Sequence, residues 1–337
     1  MFKKLLVFFI SLLVGFGLLT LTVGLIGWQE IISAFLIFTG WQGLIILLLT
    51  VLILFFSLWK WQVILKSQGY NLPLSKLAGP YLASFSLIYL FPVVSLGGEI
   101  FRGYILKEKF AIPWKNGITS IFIDKMLEIT SSLIAILLGM IFFIFKVGFP
   151  INKLEIISGV FLLIFSALLG FVYFKIFRKE SVIKMLAKFF NHKKLLNWEI
   201  LDAEKEIFVF FKARKNALLL ASFLTFLRVA ATWLRCWLLV LFLGKSIGFL
   251  TALSILGFYY IVASIPIPAA LGAHELIQAF SFNALGLGAG TALAFAMIQR
   301  GAELILAFTG LAIFLKIGLE MIKTILFRRL ESLVDKG

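Results

Sequence analysis

Apolar runs long enough to cross a membrane recur along this 337-residue chain, and they decide what it can fold into. Hydrophobic residues make up 62% of the sequence and charged residues only 14%, whereas soluble domains carry roughly 25% charged residues. A segment in hydrocarbon must satisfy its own backbone polar groups, and about 20 apolar residues span the bilayer as a helix. The sequence therefore predicts an all-α polytopic membrane protein with a single membrane domain over 1–337.

Charge decides which of the apolar segments cross the membrane. If all of them crossed, the loop 175–216, with eleven basic residues against five acidic ones, would lie outside and break the positive-inside rule. If two segments instead turn back within the membrane, that loop and both termini lie in the cytoplasm. We therefore expect about six full spans plus two broken re-entrant hairpins in the cell (plasma) membrane. The apolar segments lie at about 5–27, 41–60, 80–96, 117–145, 156–174, 217–243, 249–267 and 287–317.

Proline and glycine mark the two segments that we expect to turn back, 80–96 and 249–285. Pro80 and Pro92 bracket the first segment, and further prolines interrupt the second. Proline removes a backbone donor and clashes inside a helix, so both segments should break. Adjacent glycines let the chain turn sharply and approach a ligand closely. The predicted structural hinges are Gly97, Gly98, Pro266, Pro268 and Gly272.

The two halves of the chain share one order of segments: span, span, broken hairpin, span. A shift of 175 residues places Lys125 on Arg300 and preserves a glutamate three positions later. Broken helices at corresponding positions of two halves are typical of a transporter's binding site. We therefore predict an inverted repeat, with 1–145 as the first repeat and 156–317 as the second. The alternative is coincidence among apolar segments of similar composition.

The basic segment 175–216 contains an amphipathic pattern. Its apolar residues alternate with Lys184 and Lys188 at helical spacing. Such a helix suits the cytoplasmic face of the membrane, where lysines meet anionic lipid. The alternative is a connector helix that packs on the ends of the bundle. We attribute the net charge of +16 to basic loop residues that set the topology and contact anionic lipid headgroups. We therefore expect no nucleic-acid partner.

Charged residues inside membrane segments are costly, and each is therefore a candidate for function. Glu99 and Arg102 lie three positions apart and can pair on one helix face, although a helix start at the interface would also explain Glu99. The cluster around Asp124 could hold a headgroup, relay a proton or neutralise itself. The substrate-binding candidates are Glu99, Arg102, Asp124, Lys125, Glu128, Arg228, Glu275, Arg300 and Glu303.

Arginine is the residue that best suits a lipid phosphate, because its guanidinium binds phosphate through two nitrogens. Arg228 and Arg235 lie seven apart on one helix face, with snorkelling to the interface as the alternative for Arg235. Arg300 is expected to bind the phosphate or to pair with Glu99, Asp124 or Glu303. Glu275 follows the second helix break, and His274 beside it fits a structural role or a titrating one.

Enzymatic signatures are missing from the sequence. There is no P-loop, no zinc-protease motif, no nucleophile elbow and no Cys/His metal cluster. The single cysteine, Cys236, excludes an internal disulfide. We expect no catalytic residues, no metal and no cofactor, and a transporter rather than an enzyme.

The ordered motifs resemble the lysylphosphatidylglycerol synthase transmembrane (flippase-like) family along nearly the whole chain. The resemblance rests on Gly97-Gly98-Glu99-x-x-Arg102, the charged cluster with Asp124 and Lys125, the Pro-x-Pro segment that ends at Glu275, and Arg300. It implies the lipid-flipping part of such proteins without their soluble synthase domain. It also implies a separate lipid-modifying or glycosyl-transferring enzyme as a partner. Ala269 and Ala270 stand where the family usually has glycine.

These features predict a lipid translocase, a flippase or scramblase, that moves an anionic phospholipid, an aminoacyl-phospholipid or a polyprenyl-phosphate-linked lipid. Without a nucleotide motif, transport must run downhill or be coupled to an ion gradient such as protons. One alternative is a membrane-embedded enzyme acting on a lipid-linked sugar or phosphate. The other is an ion-coupled carrier of a small anion.

The topology can be tested with single cysteines at Lys194 and Asn152 in a Cys236→Ser background. An impermeant thiol reagent applied outside the cell should label position 152 and spare position 194. Position 194 lies in the basic loop, which the positive-inside rule places in the cytoplasm, whereas position 152 lies in a loop outside. Labelling at 194 but not at 152 would contradict the topology.

Overall fold

The computed structural model describes residues 29, 40–90, 95–148, 153–189, 198–265, 267 and 272–334, and these residues form helices joined by short connections. Within them lie eleven helices and no strand. The helices are α1 (Gly40–Ser67), α2 (Leu74–Leu90), α3 (Ser95–Phe110), α4 (Trp114–Val147), α5 (Lys153–Arg178), α6 (Val182–Phe189), α7 (Trp198–Ala213), α8 (Lys215–Phe242), α9 (Phe249–Ala263), α10 (Ala273–Ala284) and α11 (Ala289–Val334).

Four of the described helices are long and apolar enough to cross a membrane. They are α1, α4, α8 and the Ala289–Glu320 part of α11. The prediction of an all-α membrane protein is thereby confirmed. The predicted span at 5–27 lies outside the described residues, and the count of six spans stays a prediction.

Each segment predicted to be broken is a pair of shorter helices. In the first, α2 packs against α3, and in the second α9 packs against α10. Pro80 lies inside α2 and does not end it, although it had been expected to mark one end of the broken segment. Pro266 and Pro268 lie outside the described residues. Gly272 precedes α10 with a φ of 75°, a left-handed conformation that suits glycine and fits the predicted hinge.

Gly97 and Gly98 were predicted to form a sharp turn, and this is wrong, because both lie in the first turn of α3. A Cβ atom on Gly98 would lie 2.7 Å from the carbonyl oxygen of Ser84 in α2. Gly98 therefore permits close packing of two helices. The approach of Gly97 and Gly98 to a ligand stays a prediction.

The helix bounds of the two halves correspond. A shift of 175 residues carries α1 onto the bounds of α8 and carries the first residues of α2 and α4 onto those of α9 and α11. The packing follows the same relation: α2 lies against α11 as α9 lies against α4, and α1 packs along α8. Helices from both halves therefore alternate around the centre of the molecule.

The connector between the halves includes α7, which packs on α4, α5 and α8. Phe208, Phe210 and Phe211 of α7 are buried in one apolar cluster with Ile123 and other residues. Apolar burial of this kind holds α7 to the bundle. The connector-helix interpretation thus describes α7, while contact of α6 with the membrane surface stays a prediction.

Two glycines set the distance between α4 and α9. A Cβ atom on Gly139 would lie 2.6 Å from the Cα of Gly257 and 2.7 Å from the carbonyl oxygen of Leu253. Backbones that approach this closely leave no room for a side chain, as in other membrane helix pairs. Gly139 and Gly257 therefore fix how the two halves of the chain meet.

Gly139→Ala should destabilise the protein by about 1–3 kcal/mol, because the new methyl group overlaps backbone atoms of α9. The matched control is Gly170→Ala in α5, where a Cβ atom would meet nothing within 4 Å. That control should keep or slightly raise stability, since alanine favours helix over glycine. The melting temperatures of the purified proteins in detergent test this, and equal values for the two variants would contradict it.

Candidate functional site

Most of the charged residues on the membrane helices named above lie at or next to one cavity of about 420 Å³, which residues of both halves line. Residues of α1, α2, α3, α4, α8, α9, α10 and α11 line it. Four cations and three carboxylates face this space. They are Arg102, Lys125, Arg228, Arg235, Glu99, Glu128 and Glu303.

Asp124 holds two cations that come from two other helices. Its carboxylate lies 2.8 Å from the Lys60 ammonium of α1 and 2.9 Å from the Arg102 guanidinium of α3. Lys60 also donates to the main-chain oxygen of Asp124 at 3.2 Å. Arg102 in turn pairs with Glu99 at 3.2 Å, one turn away on the same helix as expected. The charged groups of α1, α3 and α4 are therefore tied together.

The chain of ion pairs continues from Glu99 to the second half of the molecule. Lys125 lies 3.0 Å from Glu99 and 3.0 Å from Glu128. Glu128 then pairs with Arg228 of α8 at 2.9 Å. Cation and carboxylate alternate throughout, and we call this set the ion-pair network. Its members are Lys60, Asp124, Arg102, Glu99, Lys125, Glu128 and Arg228.

Aromatic rings fix the Arg102 guanidinium in place. Its central carbon lies 4.5 Å from the Trp61 ring centroid and 5.3 Å from that of Tyr81. The Trp61 indole donates to Ser120 at 3.2 Å, which holds the ring. A cation over aromatic faces is attracted by the ring quadrupole, and more strongly where water is excluded. Arg102 is thus a rigid part of the site.

Arg235 forms a separate cluster on the other side of the cavity. It lies 2.9 Å from Glu303 and donates to Thr50 at 3.0 Å and to the Tyr259 hydroxyl at 3.1 Å. The Tyr259 hydroxyl donates to Glu303 at 3.0 Å. The side chain of Arg235 is only 2% exposed. The snorkelling interpretation of this arginine is therefore wrong.

Arg300 is held by a carboxylate other than those expected. Its guanidinium makes two contacts with Glu275, one of them a hydrogen bond of 2.7 Å, and both side chains are buried. The expected partner Glu303 is taken by Arg235, because α11 turns residues 300 and 303 toward different neighbours. His274, next to Glu275, is buried at the cavity with its ring 5.6 Å from that of Tyr259.

The nine predicted site residues therefore fall into three groups. Six belong to the ion-pair network, Glu303 pairs with Arg235 at the cavity, and Glu275 binds Arg300. Sequence reasoning missed Lys60, which looked like the end of the span 41–60. The 175-residue shift places it on Arg235, a signal that could have revealed it.

Buried ion pairs that join helices from both halves of an all-α bundle define a polytopic membrane protein with a polar site inside its membrane domain. The chain belongs to the lysylphosphatidylglycerol synthase TM region family, whose model matches residues 8–310. The resemblance inferred from the motifs is thereby confirmed. No curated protein and no solved structure matches the chain. The family relates this membrane domain to lipid metabolism.

Asp124→Ala should lower the free energy of unfolding by about 3–5 kcal/mol, because it leaves buried cations without their shared carboxylate. The matched control is Asp202→Ala, which removes an exposed pair with Lys205. Exposed pairs contribute little, so this control should melt like the wild type. If Asp124→Ala melts like the wild type too, the pairing does not stabilise the fold.

Proposed function

We propose that the protein is a lipid translocase that carries a lipid with an anionic phosphate headgroup across the bilayer. The observation that supports this is the mixed lining of the cavity. Its charged groups are joined by apolar residues, among them Ile53, Leu54, Phe85 and Ile88. A phospholipid likewise combines a charged headgroup with apolar acyl chains.

The apolar lining residues of α1 lie next to exposed positions of that helix. Ile53 and Leu54 are partly exposed, and their neighbours on α1, including Leu52 and Phe55, are exposed large hydrophobics. Exposed apolar residues on a spanning helix face hydrocarbon. A headgroup could enter between the helices while its acyl chains stay in the bilayer. This favours a lipid over a small water-soluble anion.

The correspondence between the halves supports an inverted repeat, with 1–145 and 156–317 as its units. In this proposal the pairs α2–α3 and α9–α10 are re-entrant hairpins, and alternating access arises when the halves move about the cavity. Both termini then lie in the cytoplasm, and the membrane is the cell (plasma) membrane.

Transport is proposed to run down a gradient or to be coupled to protons through the buried carboxylates, since the sequence lacks a nucleotide-binding motif. A separate lipid-modifying or glycosyl-transferring enzyme would supply or use the lipid. A membrane-embedded enzyme and a carrier of a small anion stay as rival functions, and both are separated by the assay that follows.

Ser264→Trp should block transport, because residue 264 is exposed at the edge of the cavity and an indole there would fill the entrance. Proteoliposomes that contain a fluorescent phosphatidylglycerol and the wild-type protein should expose inner-leaflet lipid to a quencher faster than protein-free vesicles. We expect the variant to lose about tenfold in initial rate, which corresponds to ~1.4 kcal/mol.

The matched control is Leu168→Trp, on an exposed position of α5 away from the cavity, which should keep the wild-type rate. Wild-type vesicles that move no lipid would refute the translocase. Flux of a small anion would then favour the carrier, and a chemically altered lipid would favour the enzyme.

A further inference from the structure

The ion-pair network is not electrically balanced. It contains four cations against three carboxylates, so with all groups ionised it carries one positive charge. The neighbouring pairs Arg235–Glu303 and Arg300–Glu275 are each neutral. Among the described residues at the cavity, the excess charge therefore belongs to the network alone.

An unbalanced charge inside a membrane domain is costly unless a ligand or water compensates it. The two ends of the network differ in how far their positive charge is compensated. Lys60 is buried at one end and is held by both the carboxylate and the main-chain oxygen of Asp124. Arg228 is at the other end and lines the cavity. Lys125 also lines the cavity, but it lies between two carboxylates, whereas Arg228 pairs with one. The excess charge is therefore least compensated at Arg228.

Arg228 also has bonding capacity left. Its Nη2 atom holds Glu128, whereas its buried Nη1 atom has no hydrogen-bond partner in the part of the chain that the structure describes. A guanidinium at the cavity with an unpaired donor suits a phosphate oxygen, because its planar donors match the geometry of that group.

The carboxylates of the cavity are already in ion pairs. Glu99 lies against Arg102 and Lys125, Glu128 lies between Lys125 and Arg228, and Glu303 is held by Arg235 and Tyr259. A ligand ammonium would have to displace one of these cations, at the cost of leaving it unpaired. The site is therefore better matched to a ligand without a positive group.

We infer that the excess positive charge of the network, and not a contact with one side chain, selects lipids whose headgroup carries a single net negative charge; in the wild type this charge meets the cavity at Arg228. This rests on the proposed translocase function and narrows its substrate class. A phosphodiester such as that of phosphatidylglycerol brings the network to neutrality. A zwitterionic headgroup leaves the excess charge in place, and a cationic aminoacyl headgroup adds to it.

The test uses the full-length protein in proteoliposomes with three lipids that share one fluorescent acyl chain: phosphatidylglycerol, phosphatidylcholine and lysyl-phosphatidylglycerol. The wild type should move phosphatidylglycerol about tenfold faster than phosphatidylcholine, a ratio of rates that corresponds to ~1.4 kcal/mol. It should move the cationic lipid most slowly. Arg228→Gln, which makes the network neutral, should bring the first two rates to within about twofold. Arg228→Lys keeps the charge and should keep a preference for phosphatidylglycerol.

Two further variants separate net charge from a specific contact. Glu128→Gln combined with Arg228→Gln restores one excess positive charge without their ion pair, and it should regain the preference for phosphatidylglycerol. Arg178→Gln, at an exposed arginine of α5 paired with Glu180, should keep the wild-type ratio. If the double variant does not regain the preference, or if the wild type moves the three lipids equally, charge selection is overturned while the translocase stands.

Binding gives a second measurement that does not depend on transport. In detergent, phosphatidylglycerol should raise the melting temperature of the wild type more than phosphatidylcholine does, because a ligand stabilises the state that it binds. Arg228→Gln should remove this difference. If no lipid is transported, the proposed translocase function is wrong. If both lipids raise the melting temperature of the wild type equally, the proposed charge selection is wrong, whatever the transport assay shows.

Discussion

Asp124 receives an ammonium from α1 and a guanidinium from α3, and the arrangement of the first half depends on this shared carboxylate. In a membrane domain, water cannot stabilise a buried charge, so each charged side chain must find its partner on a neighbouring helix. That requirement ties α1, α3 and α4 together and, through Glu128 and Arg228, joins them to α8. The charges at the site are therefore part of what holds the bundle in one arrangement.

The two halves share helix bounds and packing but differ in their charges, and this difference creates the site. The 175-residue shift places Asp124 on Gln299 and Glu99 on His274. The first half consequently builds a continuous network, while the second half holds separate neutral pairs. The first-half members of the network balance, with three cations against three carboxylates, so its net positive charge comes from Arg228 of the second half.

The cavity is lined by both charged and apolar residues, the combination that the proposed lipid substrate requires. Its charged residues are held by ion pairs between helices, and apolar residues near it on α1 are exposed. Glycine contacts such as Gly139 with Gly257 let helices of opposite halves approach at backbone distance.

The sequence by itself determined the membrane class, the family, the two interrupted segments and the residues whose burial is costly, because hydropathy and intramembrane charge are local properties. Only the tertiary structure decided the pairing. Arg300 binds Glu275 and leaves Glu303 to Arg235, Lys60 lies in the core, and Gly98 is a packing residue inside a helix. These outcomes depend on how helices rotate and pack against distant segments, which spacing along one chain does not specify.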